Sequence, residues 1–127
     1  MVDCSTVKTY SNNGCNGGHA VQALQYIRDH GQTTESAYPY KAVDQKCAKD
    51  TGEYHFKTVT EIMGCEDTEE NMKRRPLAVR VDATNWHVYK SGIFNNCDNK
   101  TTNHVVFMVG TSDSAWTIKN SWGTTWG

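Results

Sequence analysis

The sequence contains no long apolar segment and no large excess of charge of either sign. Its longest wholly apolar run is residues 105–109, whereas a membrane-spanning helix needs about 20 such residues. The formal net charge is −1, and no basic run is present that could neutralise a phosphate backbone. We therefore expect the chain neither to span a membrane nor to bind nucleic acid. Its first residues also lack a basic region followed by an apolar stretch, so we expect no signal peptide in this chain.

The five cysteines form no Cys-x-x-Cys pair, which excludes the usual spacing of a zinc ribbon or a redox site. A metal site built on Cys15 and His19 likewise lacks recognisable ligand spacing, and we expect neither a metal nor a cofactor. Five cysteines in a short chain instead indicate a disulfide framework formed in an oxidising compartment. The sequon Asn99-Lys100-Thr101 agrees with such a compartment. Because five is odd, at least one cysteine is free or pairs with another chain.

Hydrophobic periodicity predicts one clear helix in the first part of the chain. Apolar residues recur there at spacings of three and four, and His30-Gly31 provides a stop. These apolar residues are Ala20, Val21, Leu24 and Ile27. The stretch Asn16-Gly17-Gly18 before the helix either lets a backbone come close to a ligand or neighbouring chain, or forms a simple turn. Residues 32–52 are polar and rich in turn formers, which is typical of a surface loop.

Most of the remaining sequence predicts strands. Residues 54–62 are rich in aromatic and β-branched side chains, and residues 77–82 alternate between apolar and polar. Residues 105–109 are apolar on both faces, as in a fully buried strand. Residues 115–119 are its expected neighbour.

A short charged helix is predicted over residues 67–75, because acids crowd its start, bases crowd its end and Pro76 follows. A helical and loop-rich half of about residues 1–52 therefore precedes a β-rich half of about residues 53–127. This order of elements predicts an α+β fold.

His104 opens the last apolar run, where it can face a cleft while strand packing holds its backbone. Imidazole is the natural proton shuttle near neutral pH. An amide oxygen of Asn120 can accept the second N–H of the ring and hold one tautomer, and the indole of Trp122 can keep water from that bond. A Cys–His–Asn arrangement needs this support because the imidazolium has to persist beside a thiolate. An isolated histidine is more often partly buried and bonded to a nearby carbonyl, and that alternative stays open here.

Six segments match, in order, the pattern of one enzyme family, and together they reach from the first residues of the chain to the last. They are Val2-Asp3-Cys4-Ser5, Gly14-Cys15-Asn16-Gly17-Gly18, Tyr38-Pro39-Tyr40, Tyr89-Lys90-Ser91-Gly92-Ile93-Phe94, Asn103-His104-Val105 and Ile118-Lys119-Asn120-Ser121-Trp122-Gly123-Thr124-Thr125-Trp126-Gly127. By these segments the sequence resembles the papain-like cysteine peptidases, the cathepsin-type group. The resemblance implies a papain-like α+β fold. Residues 1–127 would then be a partial peptidase domain, with part of the helical half and most of the antiparallel β-barrel half, truncated at both ends.

The resemblance also implies roles for individual residues. His104 would be the catalytic base, Asn120 its orienting partner and Trp122 the indole that shields their hydrogen bond. Gly17 and Gly18 would form a cleft wall that pairs with the backbone of an extended substrate.

The specificity pocket implied by the resemblance departs from the family pattern. His19 and Ala20 stand where many relatives have an aromatic residue and proline, and Val105 would line the pocket with them. Arg80 aligns with a position that is usually small or aliphatic. If Arg80 points inward, the pocket is either partly filled or selective for acidic side chains. The alternative, that Arg80 points to solvent or pairs with Asp82, is equally compatible with the sequence.

The family pattern pairs Cys4 with Cys47 in a disulfide. By the same resemblance Cys15 would pair with a cysteine upstream of this chain, and Cys97 with one downstream, whereas Cys65 matches no family cysteine. Cys65 is disfavoured as a replacement nucleophile because it adjoins the charged helix, away from the matched cleft motifs. Cysteine usage and the resemblance together imply a secretory, lysosomal or extracellular location.

The family's nucleophile lies in a Gln…Cys-Gly-Ser-Cys-Trp stretch that has no counterpart in this sequence. Since the catalytic cysteine and the oxyanion glutamine are both missing, we expect this chain alone not to hydrolyse peptides. One hypothesis is a working endopeptidase that takes polypeptide substrates or inhibitors, with its thiol on an upstream segment. The other is a catalytically dead relative with a structural or interaction role, in which a partner chain covers Cys15 and Cys97.

Overall fold

The computed structural model describes residues 1–97 and 101–127 of the chain. The expected glycosylation site at Asn99 lies outside these residues. The chain divides into two compact units, Met1–Glu61 and Ile62–Gly127. No helix among the described residues has both the length and the apolar character needed to cross a membrane.

The first unit is organised around helix α1, Ala20–His30, which coincides with the predicted helix. Gly31 ends it with a positive φ of 83°, and the Gly31 N–H donates to the Ile27 carbonyl at 2.9 Å. Glycine suits this position because a side chain is rarely tolerated at positive φ.

The core of the first unit is aromatic. Tyr26 is the buried residue of α1, and its ring meets that of Tyr10 edge-on, with centroids 5.4 Å apart. Cys4 completes the buried cluster, and a disulfide joins it to Cys47, with the two Cα atoms 4.8 Å apart. These are the two cysteines that the family pattern pairs.

The second unit begins with helix α2, Cys65–Met72. It ends before the predicted boundary, so Lys73 and Arg74 lie beyond its last residue. Glu70 nevertheless accepts a hydrogen bond from Arg74 at 2.8 Å. Met72 is the buried residue of α2, which packs against the sheet described next.

Three antiparallel strands form the sheet of the second unit, in the order β1 (Leu77–Val81), β2 (His104–Thr111) and β3 (Trp116–Lys119). The register sets Val81 opposite His104 and Arg80 opposite Val105. The β2–β3 pairing shifts between Met108 and Gly110, as at a β-bulge. All three strands lie where sequence periodicity predicts them.

The prediction of a strand over residues 54–62 is wrong. Tyr54 forms a single antiparallel bridge with Gln32, and residues 55–62 belong to no strand. Tyr54 and Phe56 are exposed. Aromatic and β-branched composition favours a strand only where another strand completes its hydrogen-bond ladder, and here the pairing does not extend beyond Tyr54.

The prediction that residues 105–109 are fully buried is also wrong. Val106 and Met108 are buried, but Val105, Phe107 and Val109 are about 40% exposed. The strand therefore has one covered and one exposed face, because among the described residues α2 covers the sheet on one side only.

Candidate active site

His104 is the first residue of β2, and the turn that follows β1 holds this strand end in place. The Asn103 N–H donates to the Val81 carbonyl at 3.0 Å. The Asn103 side chain also accepts the Ala83 N–H at 2.9 Å and donates to the Thr84 hydroxyl at 3.0 Å. Three hydrogen bonds from one asparagine thus fix the backbone next to the half-buried His104. Asn103 is part of the sequence motif, but the motif did not reveal these three hydrogen bonds.

Asn120 follows directly after β3, and its side chain reaches the imidazole of His104. Oδ1 of Asn120 lies 2.9 Å from Nε2 of His104 and 2.8 Å from the Ser121 backbone nitrogen. Because a backbone N–H can only donate, the shared amide atom has to be the oxygen. An amide oxygen can only accept, so Nε2 of His104 carries the hydrogen. In the neutral ring the lone pair is therefore on Nδ1.

Trp122, which the resemblance implies as an indole shield, lies beside the His104 ring. Its ring centroid is 5.1 Å from that of His104, with an interplanar angle of 31°. The indole remains 41% exposed. The Trp122 indole therefore contacts the His104 ring and is itself partly exposed to solvent.

Trp86 is a component of the site that sequence patterns did not reveal. It belongs to a 3-10 turn, Trp86–Val88, after β1, and its ring meets the His104 imidazole edge-on with centroids 6.2 Å apart. It stacks on Trp126 at 6.1 Å, and the Trp126 indole N–H donates to the Trp86 carbonyl at 2.9 Å. No periodicity marks Trp86, because it lies outside any regular element. In the sequence Trp86 also stands apart from the other three tryptophans, which all lie within residues 116–126.

Two buried donors flank the imidazole without a hydrogen-bond partner among the described residues: Nε1 of Trp86 and Nδ2 of Asn120. Buried donors of this kind cost free energy unless a water or another chain segment satisfies them. Both donors lie beside the half-buried His104 ring, in the part of the site that Trp86 and Asn120 form.

In the first unit, Gly17 and Gly18 differ in why they require glycine. Gly17 has φ of 100°, and a Cβ built there would meet no atom within 4 Å. A Cβ at Gly18 would collide with the side chain of Asn12, whose Oδ1 accepts the His19 N–H at 2.8 Å. The pair thus presents an exposed backbone edge. His19 caps α1 and Ala20 begins it.

Arg80 and Val105 face each other across β1 and β2 on the exposed face of the sheet. This pair lies next in the ladder to Val81 and His104. The structure thus brings Arg80 beside one predicted pocket residue, Val105. The other two, His19 and Ala20, belong to the first unit.

Among the residues that the structure describes, three cysteines are free and exposed: Cys15, Cys65 and Cys97. The Cys15 backbone N–H donates to the Asp44 carboxylate at 2.7 Å. Desolvation and this carboxylate raise the pKa of the Cys15 thiol above its usual value, which opposes thiolate formation. Cys65 begins α2, and Glu66 and Asp67 follow it in the first turn of that helix. Within residues 1–97 and 101–127, no group of three or more His, Cys, Asp or Glu side chains could hold a metal ion.

Comparison with known proteins relates this chain to cysteine proteases. A family model described as papain family cysteine protease matches residues 1–127. Cathepsin L 2 of Paramecium tetraurelia is 39% identical over 130 residues, covering 100% of this chain and 40% of that protein. Cathepsin L of Sarcophaga peregrina is 40% identical over 151 residues, covering 100% of this chain and 41% of that protein. The chain therefore spans about two fifths of the length of these curated relatives.

Solved structures show the same fold. The Carica candamarcensis cysteine protease CMS1MS2, solved in complex with E-64, matches with a TM-score of 0.88 at 29% identity, covering 99% of this chain and 61% of that one. Procathepsin L 3 of the Tenebrio molitor larval midgut matches with a TM-score of 0.77 at 34% identity, covering 99% of this chain and 45% of that one.

Proposed function

The chain belongs to the papain family of cysteine proteases, and from this premise we propose that it supplies the catalytic histidine and asparagine of a cysteine endopeptidase. The observation that carries the proposal is the hydrogen bond from Nε2 of His104 to Oδ1 of Asn120, at 2.9 Å. It leaves Nδ1 of His104 as the basic nitrogen. A Cys–His–Asn peptidase needs a base held in one tautomer in this way.

His104 would act on protons at Nδ1 only. It takes the proton of the nucleophilic thiol, donates it to the leaving amine of the substrate, and later takes a proton from the water that releases the acyl group. The Nε2–H stays bonded to Asn120 throughout these steps. The amide oxygen therefore stabilises the positive charge that the ring carries while the thiolate exists. Trp122 supports that bond by reducing its contact with water.

We place the nucleophilic cysteine and the oxyanion glutamine of this peptidase outside residues 1–127. The family stretch that carries them has no counterpart in the sequence, and the raised pKa of the Cys15 thiol argues against a substitute from within. The relatives are more than twice as long as this chain, so a segment carrying the thiol is compatible with the family. Cys15, free and exposed, is the cysteine that we expect to pair with that segment.

Substrate binding is assigned to two exposed features. The backbone of Gly17 and Gly18 is open enough to pair with an extended peptide, in the manner of a strand added to an edge. Arg80, beside Val105, would contact a substrate side chain. Since its guanidinium carries a permanent charge, we expect it to favour an acidic side chain in the substrate.

An oxidising compartment is the expected location, within the secretory or lysosomal route or outside the cell. The Cys4–Cys47 disulfide supports this assignment, because such bonds persist mainly where thiols are not kept reduced.

A catalytically dead subunit is the second candidate. One observation favours it: the sheet face with Val105, Phe107 and Val109 is exposed. An exposed apolar face of this kind is typical of an interaction surface. In that case Cys15 and Cys97 would bond to a partner chain.

Covalent labelling separates the two candidates. The protein that carries this chain, purified at its natural full length, is incubated with a thiol-directed covalent peptidase inhibitor. Labelling of a cysteine outside residues 1–127 that is lost in His104→Ala supports the peptidase. No labelling, in protein that is folded and contains the Cys4–Cys47 disulfide, supports the dead subunit. Non-reducing peptide mapping provides a second measurement, since a free Cys15 in the native protein would contradict the proposed link to an upstream segment.

A further inference from the structure

His55 holds two separate carbonyl groups of the first unit at once. Its Nδ1 lies 3.0 Å from the carbonyl oxygen of Arg28, and its Nε2 lies 3.0 Å from the carbonyl oxygen of Gly52. Arg28 is in the last turn of α1, whereas Gly52 belongs to the segment that leads into His55. The imidazole therefore bridges the end of the helix and this segment.

Carbonyl oxygens can only accept hydrogen bonds, so both ring nitrogens have to carry hydrogen for both bonds to exist. Only the imidazolium form has two N–H groups. Either neutral tautomer would lose one bond and set a lone pair against a carbonyl oxygen. The positive charge also suits this place, because the last carbonyls of a helix form the negative end of its dipole.

Residues 52–54 also contact the end of α1 and the residues after it through backbone hydrogen bonds. The Gly52 N–H donates to the His30 carbonyl at 2.8 Å, and Gln32 and Tyr54 exchange bonds of 2.8 and 3.1 Å. The approach is so close that a Cβ at Gly31 would collide with the Gly52 carbonyl. His55 therefore adds to a junction that three backbone hydrogen bonds also hold, together with the bond of 3.1 Å from the Tyr26 hydroxyl to the Asp50 carbonyl.

Charges of both signs surround this junction. Arg28 and Asp29 form an ion pair of 2.6 Å with each other, and the His30 ring stacks on Tyr26 at 4.8 Å. The charged and titratable residues of the two segments are Arg28, Asp29 and His30 on the helix and Asp50, Glu53, Tyr54 and Lys57 on the other side.

We propose that His55 is a proton-dependent clasp: as imidazolium it fastens residues 52–55 to the end of α1, and on losing its proton it releases one of the two contacts. The direction of the pH dependence follows from the geometry of these two contacts. The clasp is complete while both ring nitrogens carry hydrogen, and it weakens at higher pH once one of these protons is lost. The first unit would thus be most firmly closed in an acidic compartment.

Amide hydrogen exchange tests the clasp in the full-length protein. Protection of the Gly52, Gln32 and Tyr54 amides is measured at about pH 5.5 and about pH 7.5 and corrected for intrinsic exchange. In wild type we expect roughly tenfold lower protection at the higher pH, the size of one net hydrogen bond. In His55→Phe we expect protection that is low at both pH values and shows no such pH dependence.

His87→Phe is the matched control. His87 is also exposed, but its ring meets a single carbonyl, that of Thr84, at 3.1 Å, which a neutral tautomer satisfies. In this variant the protection of the Gly52, Gln32 and Tyr54 amides should depend on pH as it does in wild type. An equal pH dependence in wild type and His55→Phe would overturn the proposal. If His55→Phe does not fold, NMR of the wild-type protein can measure instead whether each ring nitrogen of His55 carries hydrogen. Two bonded N–H groups at about pH 5.5 support the clasp, and a neutral ring contradicts it.

Discussion

The Nε2–H of His104 and the backbone N–H of Ser121 converge on one atom, Oδ1 of Asn120, at 2.9 and 2.8 Å. The second contact orients the amide, and the oriented amide then determines which nitrogen of His104 holds the hydrogen. Two neighbouring residues after β3 therefore set the protonation pattern of a ring on β2.

Replacing Asn120 with alanine should lower turnover while leaving the fold intact. Without the amide oxygen the ring can rotate and adopt the other tautomer, so we expect kcat/KM of the full-length protease to fall by about 10- to 100-fold, as when an outer-shell partner of a functional histidine is lost. Steady-state hydrolysis of a peptide substrate measures this, and urea unfolding checks stability. Asn71→Ala, which removes an amide from α2, is the control and should keep full activity. Unchanged turnover in Asn120→Ala would refute the orienting role.

Two substitutions at Trp86 separate its ring from its unpartnered N–H. Trp86→Phe keeps an aromatic ring and removes a buried donor without a partner, so we expect stability within about 1 kcal/mol of wild type. Trp86→Ala removes the contacts with His104, Trp122 and Trp126 and should cost about 3 kcal/mol. Chemical denaturation of both variants tests this. Equal losses in the two would mean that Nε1 of Trp86 has a partner in the native protein.

The Cys4–Cys47 disulfide should stabilise the first unit substantially. It links residues 43 positions apart, for which the chain-entropy relation gives about 4 kcal/mol. The double variant Cys4→Ser/Cys47→Ser should therefore unfold at a much lower denaturant concentration. Cys65→Ser removes an exposed free thiol instead and should change stability by no more than about 0.5 kcal/mol. Similar unfolding of wild type and the double variant would contradict the prediction.

The Asp29 carboxylate gives the first unit an acid-sensitive contact. Hydrogen bonds from Arg28 and Tyr10 lower the pKa of Asp29 from 3.8 to about 2. A pKa depressed by folding means that the contribution is present above about pH 4 and is lost as pH falls towards 2. We expect Asp29→Asn to flatten the stability profile in this range, as measured by urea midpoints at successive pH values. Asp113→Asn, at an exposed aspartate between β2 and β3, should leave the profile unchanged.

Arg80 should influence which substrates are cleaved. If its guanidinium binds an acidic side chain, Arg80→Ala should lower kcat/KM for peptides with that side chain by about tenfold relative to aliphatic peptides, because a charge-assisted hydrogen bond is lost. Paired substrates that differ only at this side chain provide the measurement. Arg75→Ala, at an exposed arginine after α2, is the control. If Arg80→Ala does not change the ratio of kcat/KM for the acidic and the aliphatic substrate, the Arg80 side chain does not contact the substrate.

The sequence alone determined helix α1, the positions of the three strands and the family. Helix α1 and the three strands follow from side-chain periodicity, which depends only on neighbours along the chain. The papain-like α+β fold follows from the six ordered segments and is confirmed by the family match and the solved structures. Composition was misleading over residues 54–62, where aromatic and β-branched residues favour a strand but no partner extends the pairing beyond Tyr54.

Only the tertiary structure decided the features that depend on where distant parts of the chain meet. The tautomer of His104 depends on an amide held by Ser121, and the ring of Trp86 enters the site from an irregular turn. The exposed face of β2 likewise depends on which elements cover the sheet, and the two contacts of His55 depend on how α1 ends. The physical reason is the same in each case. A pattern along the chain specifies which side a residue faces, whereas its hydrogen-bond partner and its burial are set by the atoms that the fold brings against it.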